Sequence, residues 1–288
     1  MHIFITGGTG FIGQALCQTL ISKGHTLTVL TRQTKTSTQA VNFVSNFTHL
    51  DNFDAVINLA GEPIFAHRWT TKQKQKLVDS RLNLTKKIVN IIQQSNNPPA
   101  VFLSASATGI YGNLSKFAEI CEALTACDPS FPAQLCQKWE KEALKAQNKH
   151  TRVCLLRTGI VLDKSGSALK QMLPLYRLGL GGKLGSGKQH WAWIALEDEI
   201  RAICFLLENS NSKGAYNLVA PHSVSNAEFN HRLAKQLHRP AFFAVPQWLL
   251  KLVLGERSQL LLDNQPLVPQ KLLNEGFTFN YPNLSDLL

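Results

Sequence analysis

The sequence predicts an α/β protein: a Rossmann doubly wound parallel sheet with a smaller α/β substrate-side and C-terminal domain. Three observations carry this. Short apolar strands alternate with helix-period segments over the first 160 residues. A glycine cluster joins the first strand to the first helix. After residue 160 the alternation gives way to glycine-rich and then Leu/Pro/Gln-rich stretches.

Residues 2–6 (HIFIT) are β-rich and end at glycines. Residues 11–22 place Phe11, Ile12, Ala15, Leu16 and Leu20 at helical period, and Gly24 closes that helix. Thr26–Leu30 reads as a second strand. Residues 55–59 (AVINL) form a near-continuous apolar run, as expected of a strand covered on both faces. A long helix is expected over 69–94, with Leu77, Leu84, Ile88 and Ile91 on one face and Pro98-Pro99 beyond its end. A strand at 101–103, a helix over 132–147 and a strand at 153–156 continue the alternation. Five glycines between Gly179 and Gly187 read as loop. Helices are expected near 197–208 and 225–237, with a strand at 215–218 between them. The expected organisation is a nucleotide-binding domain over 1–160, with returning segments near 190–220. Residues 161–190 and 221–288 make the smaller domain.

The 288 residues (32.0 kDa) carry 44% apolar and 17% charged side chains, an ordinary globular balance. The net charge of +11 fits a nucleic acid, an anionic membrane or a phosphate-rich ligand. No apolar run reaches the roughly 18–20 residues of a membrane span, and residues 1–6 do not resemble a secretory leader. Cys17, Cys121, Cys127, Cys136, Cys154 and Cys204 are scattered, with no C-x-x-C pair. They read as free thiols of a cytoplasmic protein, and no metal site is expected.

The strongest motif is Gly7-x-x-Gly10-x-x-Gly13, with Thr9, Phe11 and Ile12 between the glycines. Gly7 permits the tight turn, Gly10 admits a pyrophosphate close to the backbone, and Gly13 lets helix and strand pack closely. The helix N-terminus supplies orphan N–H groups for phosphate. The second strand ends in Arg32, where an NAD-selective site places an acidic residue. Arg32 suits the 2′-phosphate of NADP(H), the alternative being a solvated surface arginine. Leu59, Ala60 and Gly61 follow the next strand, where the small residues let a dinucleotide pass, the alternative being an ordinary strand-to-helix turn.

These motifs, together with SASATGIYG at 104–112 and Leu156-Arg157-Thr158-Gly159, resemble the extended short-chain dehydrogenase/reductases. Gly61-Glu62-Pro63-Ile64, Arg68-Trp69, Ser80-Arg81, Trp139-Glu140, the segment 184–189, Trp193-Ile194 and Val268-Pro269-Gln270-Lys271 narrow the likeness. They are similar to the atypical, YfcH-like branch of the NAD(P)-dependent epimerase family, which carries a C-terminal domain of unknown function. The resemblance spans essentially the whole chain. It implies an NADP-type Rossmann domain and assigns Arg157 to the cofactor side.

In the wider family a tyrosine acts as general acid/base, a lysine four residues later lowers its pKa, and a serine orients the substrate oxygen. The resemblance places Ser106 at the serine position, with Thr108 as its substitute. With Lys138 as the lysine, the tyrosine position holds Gln134, which cannot shuttle a proton. Three alternatives follow: an acid from elsewhere (Tyr111, Glu140, Glu62 or His67), a water held by Ser106 and Gln134, or NADPH binding without this chemistry. Arg81 stands where the family presents an asparagine, and suits an anion, the alternative being a surface arginine on a strongly basic helix. Glu62, Arg68, Thr108, Lys183, Gln189 and Trp193 are the substrate-side candidates. Lys183 and Lys188 offer charge, and Trp191 and Trp193 offer either a stacking face or core packing.

Three classes of function are in play. The first is an NADP(H)-dependent oxidoreductase or epimerase acting on a small anionic or sugar-nucleotide-like molecule, as a monomer or homodimer. The second is an NADPH-binding regulator acting through a protein partner. The third, nucleic-acid binding, accounts for the charge alone and ranks last, because recognition motifs are missing.

Overall fold

The structure is a computed structural model and describes residues 1–114, 121–123, 128–163, 167–179 and 181–288. Cys127 lies outside these residues. The other cysteines are free thiols.

The Rossmann part runs β1 (His2–Thr6), α1 (Phe11–Ser22), β2 (Thr26–Leu30), β3 (Val41–Val44), β4 (Ala55–Asn58), α2 (Thr71–Gln94), β5 (Val101–Ala107), α3 (Phe131–Ala143) and β6 (Arg152–Thr158). There follow β7 (Ile160–Asp163), α4 (Ser167–Arg177), β8 (Gly182–Leu184), β9 (His190–Trp191), β10 (Trp193–Ala195), α5 (Leu196–Glu208) and β11 (Gly214–Leu218). The chain ends with β12 (Val224–Ser225), α6 (Asn226–Gln236), β13 (Phe243–Val245), α7 (Gln247–Leu254) and short helices.

Among the described residues, seven strands form one parallel sheet in the order β11-β6-β5-β4-β1-β2-β3. The order reverses direction between β1 and β4, which opens a crevice at the carboxyl ends of the strands, where such sheets bind ligands. Side-chain alternation along β1 sends Ile3 and Ile5 to one face and Phe4 to the other. Leu16 and Leu20 of α1 and Ile203 and Leu207 of α5 cover the first face. Ile88 and Ile92 of α2 and Ala143 of α3 cover the second. Both faces of the sheet are therefore dry, which accounts for the apolar run at 55–58. No helix among the described residues is long and apolar enough to cross a membrane.

A second core gathers Leu162, Tyr176, Trp191, Trp193, Phe229, Leu233 and Leu284. Asp198, fully buried at the start of α5, ties the tail to it: the backbone N–H groups of Asn280 and Tyr281 donate to its carboxylate at 2.9 and 2.8 Å.

The long helix begins at Thr71, two residues later than expected, because the Thr70 side chain accepts from the Gln73 N–H and caps it. The glycine-rich segment is not all loop. β8 lies within it and pairs in parallel with β13. A Cβ at Gly182 would lie 1.7 Å from the Phe243 carbonyl oxygen, so this glycine serves close strand approach. α4 carries an internal proline, Pro174, which obscures its period in the sequence.

Candidate dinucleotide-binding and active site

The β1–α1 turn is built for close approach. Gly7 sits at φ +74°, and a Cβ there would fall 2.6 Å from the Leu59 carbonyl carbon. A Cβ at Gly13 would fall 2.1 Å from the Gly7 oxygen. Gly10 is the N-cap of α1, and no side chain caps the helix, so its first N–H groups face the crevice mouth. A pyrophosphate fits this cradle, because the glycines leave it open and the helix end favours negative charge. Phe11 and Ile12, in the first turn, pack onto the core beneath.

A cleft of about 1780 Å³ opens beside this turn. Thr9 and Gly10 line it from one side, Arg32 from the end of β2, and Leu59, Ala60 and Gly61 from the end of β4. This volume exceeds the roughly 300–1,000 Å³ of a usual small-molecule pocket, leaving room for a second molecule beside a dinucleotide. Its far side carries Glu62, His67, Arg68, Lys72 and Lys76. Lys76 donates to the Glu62 carboxylate at 2.6 Å and holds its pKa below the usual range. Arg68 also lines the cleft and donates to the Leu252 carbonyl at 2.9 Å.

Arg81 lies behind the cleft wall. Its guanidinium donates to the Leu77 and Glu62 carbonyls, both at 3.1 Å, and sits 5.2 Å from the centre of the Trp139 ring. A Cβ at Gly61 would approach it to 3.1 Å. Burial depresses the Arg81 pKa. Arg81 thus braces the Gly61–Glu62 turn against α2, donating to a carbonyl oxygen of each.

Strand register assembles a polar row at the sheet's carboxyl edge. Ser106 lies beside Arg157, and Arg157 beside Asn217. The Ser106 hydroxyl donates to Glu140 Oε1 at 2.7 Å. Arg157 grips the same carboxylate with Nε and Nη2, each at 2.9 Å, and donates from Nη1 to the Tyr111 hydroxyl at 2.7 Å. Tyr111 in turn donates to Asn217 Oδ1 at 2.8 Å. Burial works against the Arg157 charge, but the Glu140 carboxylate outweighs it and holds the pKa above its ordinary value. Burial pushes the Tyr111 phenol up to about 12, against the pull of Arg157. A second chain runs from Thr6 to Asn58 (2.6 Å) and from Asn58 to Thr85 (3.0 Å), where the Trp139 indole also donates.

α3 presents Cys136, Trp139 and Glu140 to this row, and burial pushes the Cys136 thiol up to about 12. Gln134 and Lys138 lie two positions from Cys136 and Glu140, about 200° around the helix, and both are exposed. The Gln134 amide donates to the Pro129 carbonyl at 2.9 Å. The expected pairing of Gln134 and Lys138 with Ser106 is therefore corrected: the helix turns them to solvent and faces Ser106 with Glu140.

The substrate-side candidates separate. Thr108 is buried, and its carbonyl accepts from Gln265 at 3.1 Å. The Gln189 amide donates to the Leu184 and Leu261 carbonyls at 3.0 and 3.1 Å. Trp193 is 1% exposed, and its indole donates to the His222 carbonyl at 3.1 Å. Gln189 and Trp193 thus stitch the second core, and Trp193 is packed within it rather than offering a stacking face. Lys183 lines a different groove. The buried phenol of Tyr176 belongs to the second core, where it bonds to Asn230. Sequence reasoning missed Thr85 and Asn217, which only strand and helix packing bring into the two networks.

A glycine turn at a helix N-terminus, set at a switch point of a parallel sheet, defines a dinucleotide-binding Rossmann protein. A model of the NAD dependent epimerase/dehydratase family matches residues 3–219, and a domain of unknown function (DUF1731) matches 245–288. The chain belongs to the NAD dependent epimerase/dehydratase family. An epimerase family protein of Staphylococcus haemolyticus is 37% identical over 98% of this chain and 96% of its own. The crystal structure of human epimerase family protein SDR39U1 (isoform 2) with NADPH has a TM-score of 0.91 at 33% identity, covering 100% of this chain and 97% of that one. A nucleoside-diphosphate sugar epimerase from Corynebacterium glutamicum has a TM-score of 0.79 at 29% identity, covering 99% of this chain and 56% of that one. The chain is an NAD(P)-binding, epimerase-fold protein related to the sugar-nucleotide epimerases.

Proposed function

We propose that the cofactor is NADP(H), and that the chain is an NADP(H)-dependent oxidoreductase or epimerase acting on a small anionic or sugar-nucleotide-like substrate. The carrying observation is Arg32, which lines the same cleft as Thr9 and Gly10. The human relative bound to NADPH supports the reading. Bound NADP(H) supplies or accepts a hydride. The uncapped helix N-terminus meets the pyrophosphate, and Arg32 meets the 2′-phosphate. Arg68 and Lys72 give the cleft its preference for an anion.

Of the four candidate acids, Tyr111 and Glu140 are spent in buried hydrogen bonds, whereas Glu62 and His67 line the cleft. In this reading His67 handles the proton, because the Lys76 ammonium engages the Glu62 carboxylate and holds it ionised. Ser106 gives its hydrogen to Glu140 and so offers a substrate hydroxyl only its lone pairs. The protein works in the cytoplasm as a monomer or homodimer, with no nucleic-acid partner. Fluorescence titration tests the cofactor assignment: Arg32→Ala weakens NADPH about tenfold or more and leaves NADH within about twofold. Equal losses for both cofactors overturn it.

A second reading, an NADPH-dependent regulator with a protein partner, is favoured by α7. Trp248, Leu252 and Val253 there are 66%, 65% and 61% exposed. NADPH turnover with a panel of carboxylated and phosphorylated carbonyl compounds separates the two readings.

A further inference from the structure

Lys183, expected beside the substrate, lines a second groove that shares no residue with the cofactor cleft. Its volume is about 370 Å³, at the small end of the range for small-molecule sites. Its walls are α6 and the paired strands β8 and β13. His231 and Lys235 come from one face of α6, four residues apart. Arg239 follows where the chain leaves the helix through His238, a non-glycine residue at φ +50°. Phe242 and Phe243 close the groove, and they are 90% and 53% exposed.

The chemistry of this wall is one-sided. No carboxylate lines the groove among the described residues. The acidic residue of α6, Glu228, is engaged by Arg232 of the same helix. None of the ion pairs among the described residues uses Lys183, Lys235 or Arg239. Three fixed positive charges around a small concavity favour a multiply charged anion such as a phosphate monoester. Two phenyl rings left to water beside them favour a flat aromatic partner, as in base stacking.

We propose that this groove binds a nucleoside monophosphate group: the phosphate lies among Lys183, Lys235 and Arg239, and the base lies on Phe242. The group comes as a free nucleotide.

Isothermal titration with 5′-UMP, which lacks the adenine of the cofactor, tests this on the full chain. Uridine and a 5′-phosphorylated oligouridylate are run alongside. UMP is expected to bind once per chain, and uridine about tenfold or more weakly. The surface pair Lys235→Glu/Arg239→Glu weakens UMP about tenfold or more, and Phe242→Ala about fivefold or more. Arg32→Glu, in the other cleft, leaves UMP binding within about twofold. An oligouridylate that binds about tenfold or more tightly than UMP makes a strand the ligand and overturns the proposal. No saturable UMP binding, binding that survives the charge reversal, loss of UMP binding in Arg32→Glu, or binding of the oligouridylate alone overturns it.

Discussion

Replacing Glu140 with alanine is the most severe single perturbation the polar row offers. The carboxylate accepts from Ser106 Oγ at 2.7 Å and from Arg157 Nε and Nη2 at 2.9 Å each. The two side chains of the pair are 8% and 10% exposed, so solvent screens little of the interaction. Glu140→Ala leaves a buried guanidinium whose remaining hydrogen-bond partners among the described residues are the Tyr111 hydroxyl and the Glu122 carbonyl. Removing one member of a buried pair costs about 3–5 kcal/mol, a large share of the roughly 5–15 kcal/mol that holds a protein folded. Replacing both members with apolar residues of similar volume is often neutral. The double variant Glu140→Leu/Arg157→Met is therefore expected to be more stable than Glu140→Ala alone. Urea unfolding followed by circular dichroism gives the midpoints and slopes. A loss below about 1 kcal/mol for Glu140→Ala, or a double variant that loses the sum of both single changes, refutes the reasoning.

Three further outcomes follow from other parts of the molecule. Glu199 is fully buried, among the described residues no hydrogen bond reaches its Oε2, and desolvation raises its pKa from 4.5 to about 8. The unfolded chain releases this proton near 4.5 while the folded chain keeps it, so stability falls as pH rises from about 4.5 to about 8. The upper bound on that loss is about 5 kcal/mol. Glu199→Gln is expected to flatten the fall and to raise the unfolding midpoint at pH 9, as read in urea melts at several pH values. Asp198→Ala removes the acceptor for the Asn280 and Tyr281 N–H groups and for Arg201. It is expected to cost about 2–4 kcal/mol and to make the chain beyond residue 275 susceptible to limited proteolysis. Gly13→Ala drives a Cβ to 2.1 Å from the Gly7 carbonyl oxygen, so cofactor titration is expected to show binding lost or weakened by more than about tenfold.

The glycine turn is legible in the sequence because its meaning is local: a strand, a turn and a helix start lie within a few residues of each other. The apolar strands were legible for the same reason. The register of α3 was not. A four-residue spacing marks two residues on one helix face without saying which face meets the sheet. Gln134 and Lys138 satisfy that spacing, as do Cys136 and Glu140, and packing of Leu135, Cys136 and Trp139 selects the second pair. The Glu140–Arg157 bond joins residues 17 apart in sequence and depends on β5 lying beside β6 in a register that sets Ser106 against Arg157. Trp193 beside a glycine-rich segment looks alike in sequence whether it stacks on a ligand or fills a core. Only the placement of β10 against β7 decides for the core. The strand at 182–184 is hidden because glycine signals a turn more often than a close strand crossing.

The assignment of Arg32 to a 2′-phosphate is tested most directly by the dissociation constants of NADPH and NADH for the unaltered protein, measured side by side at fixed ionic strength. NADPH is expected to bind about tenfold or more tightly, with the difference shrinking as salt is added. Equal affinities, or tighter binding of NADH, would contradict that assignment.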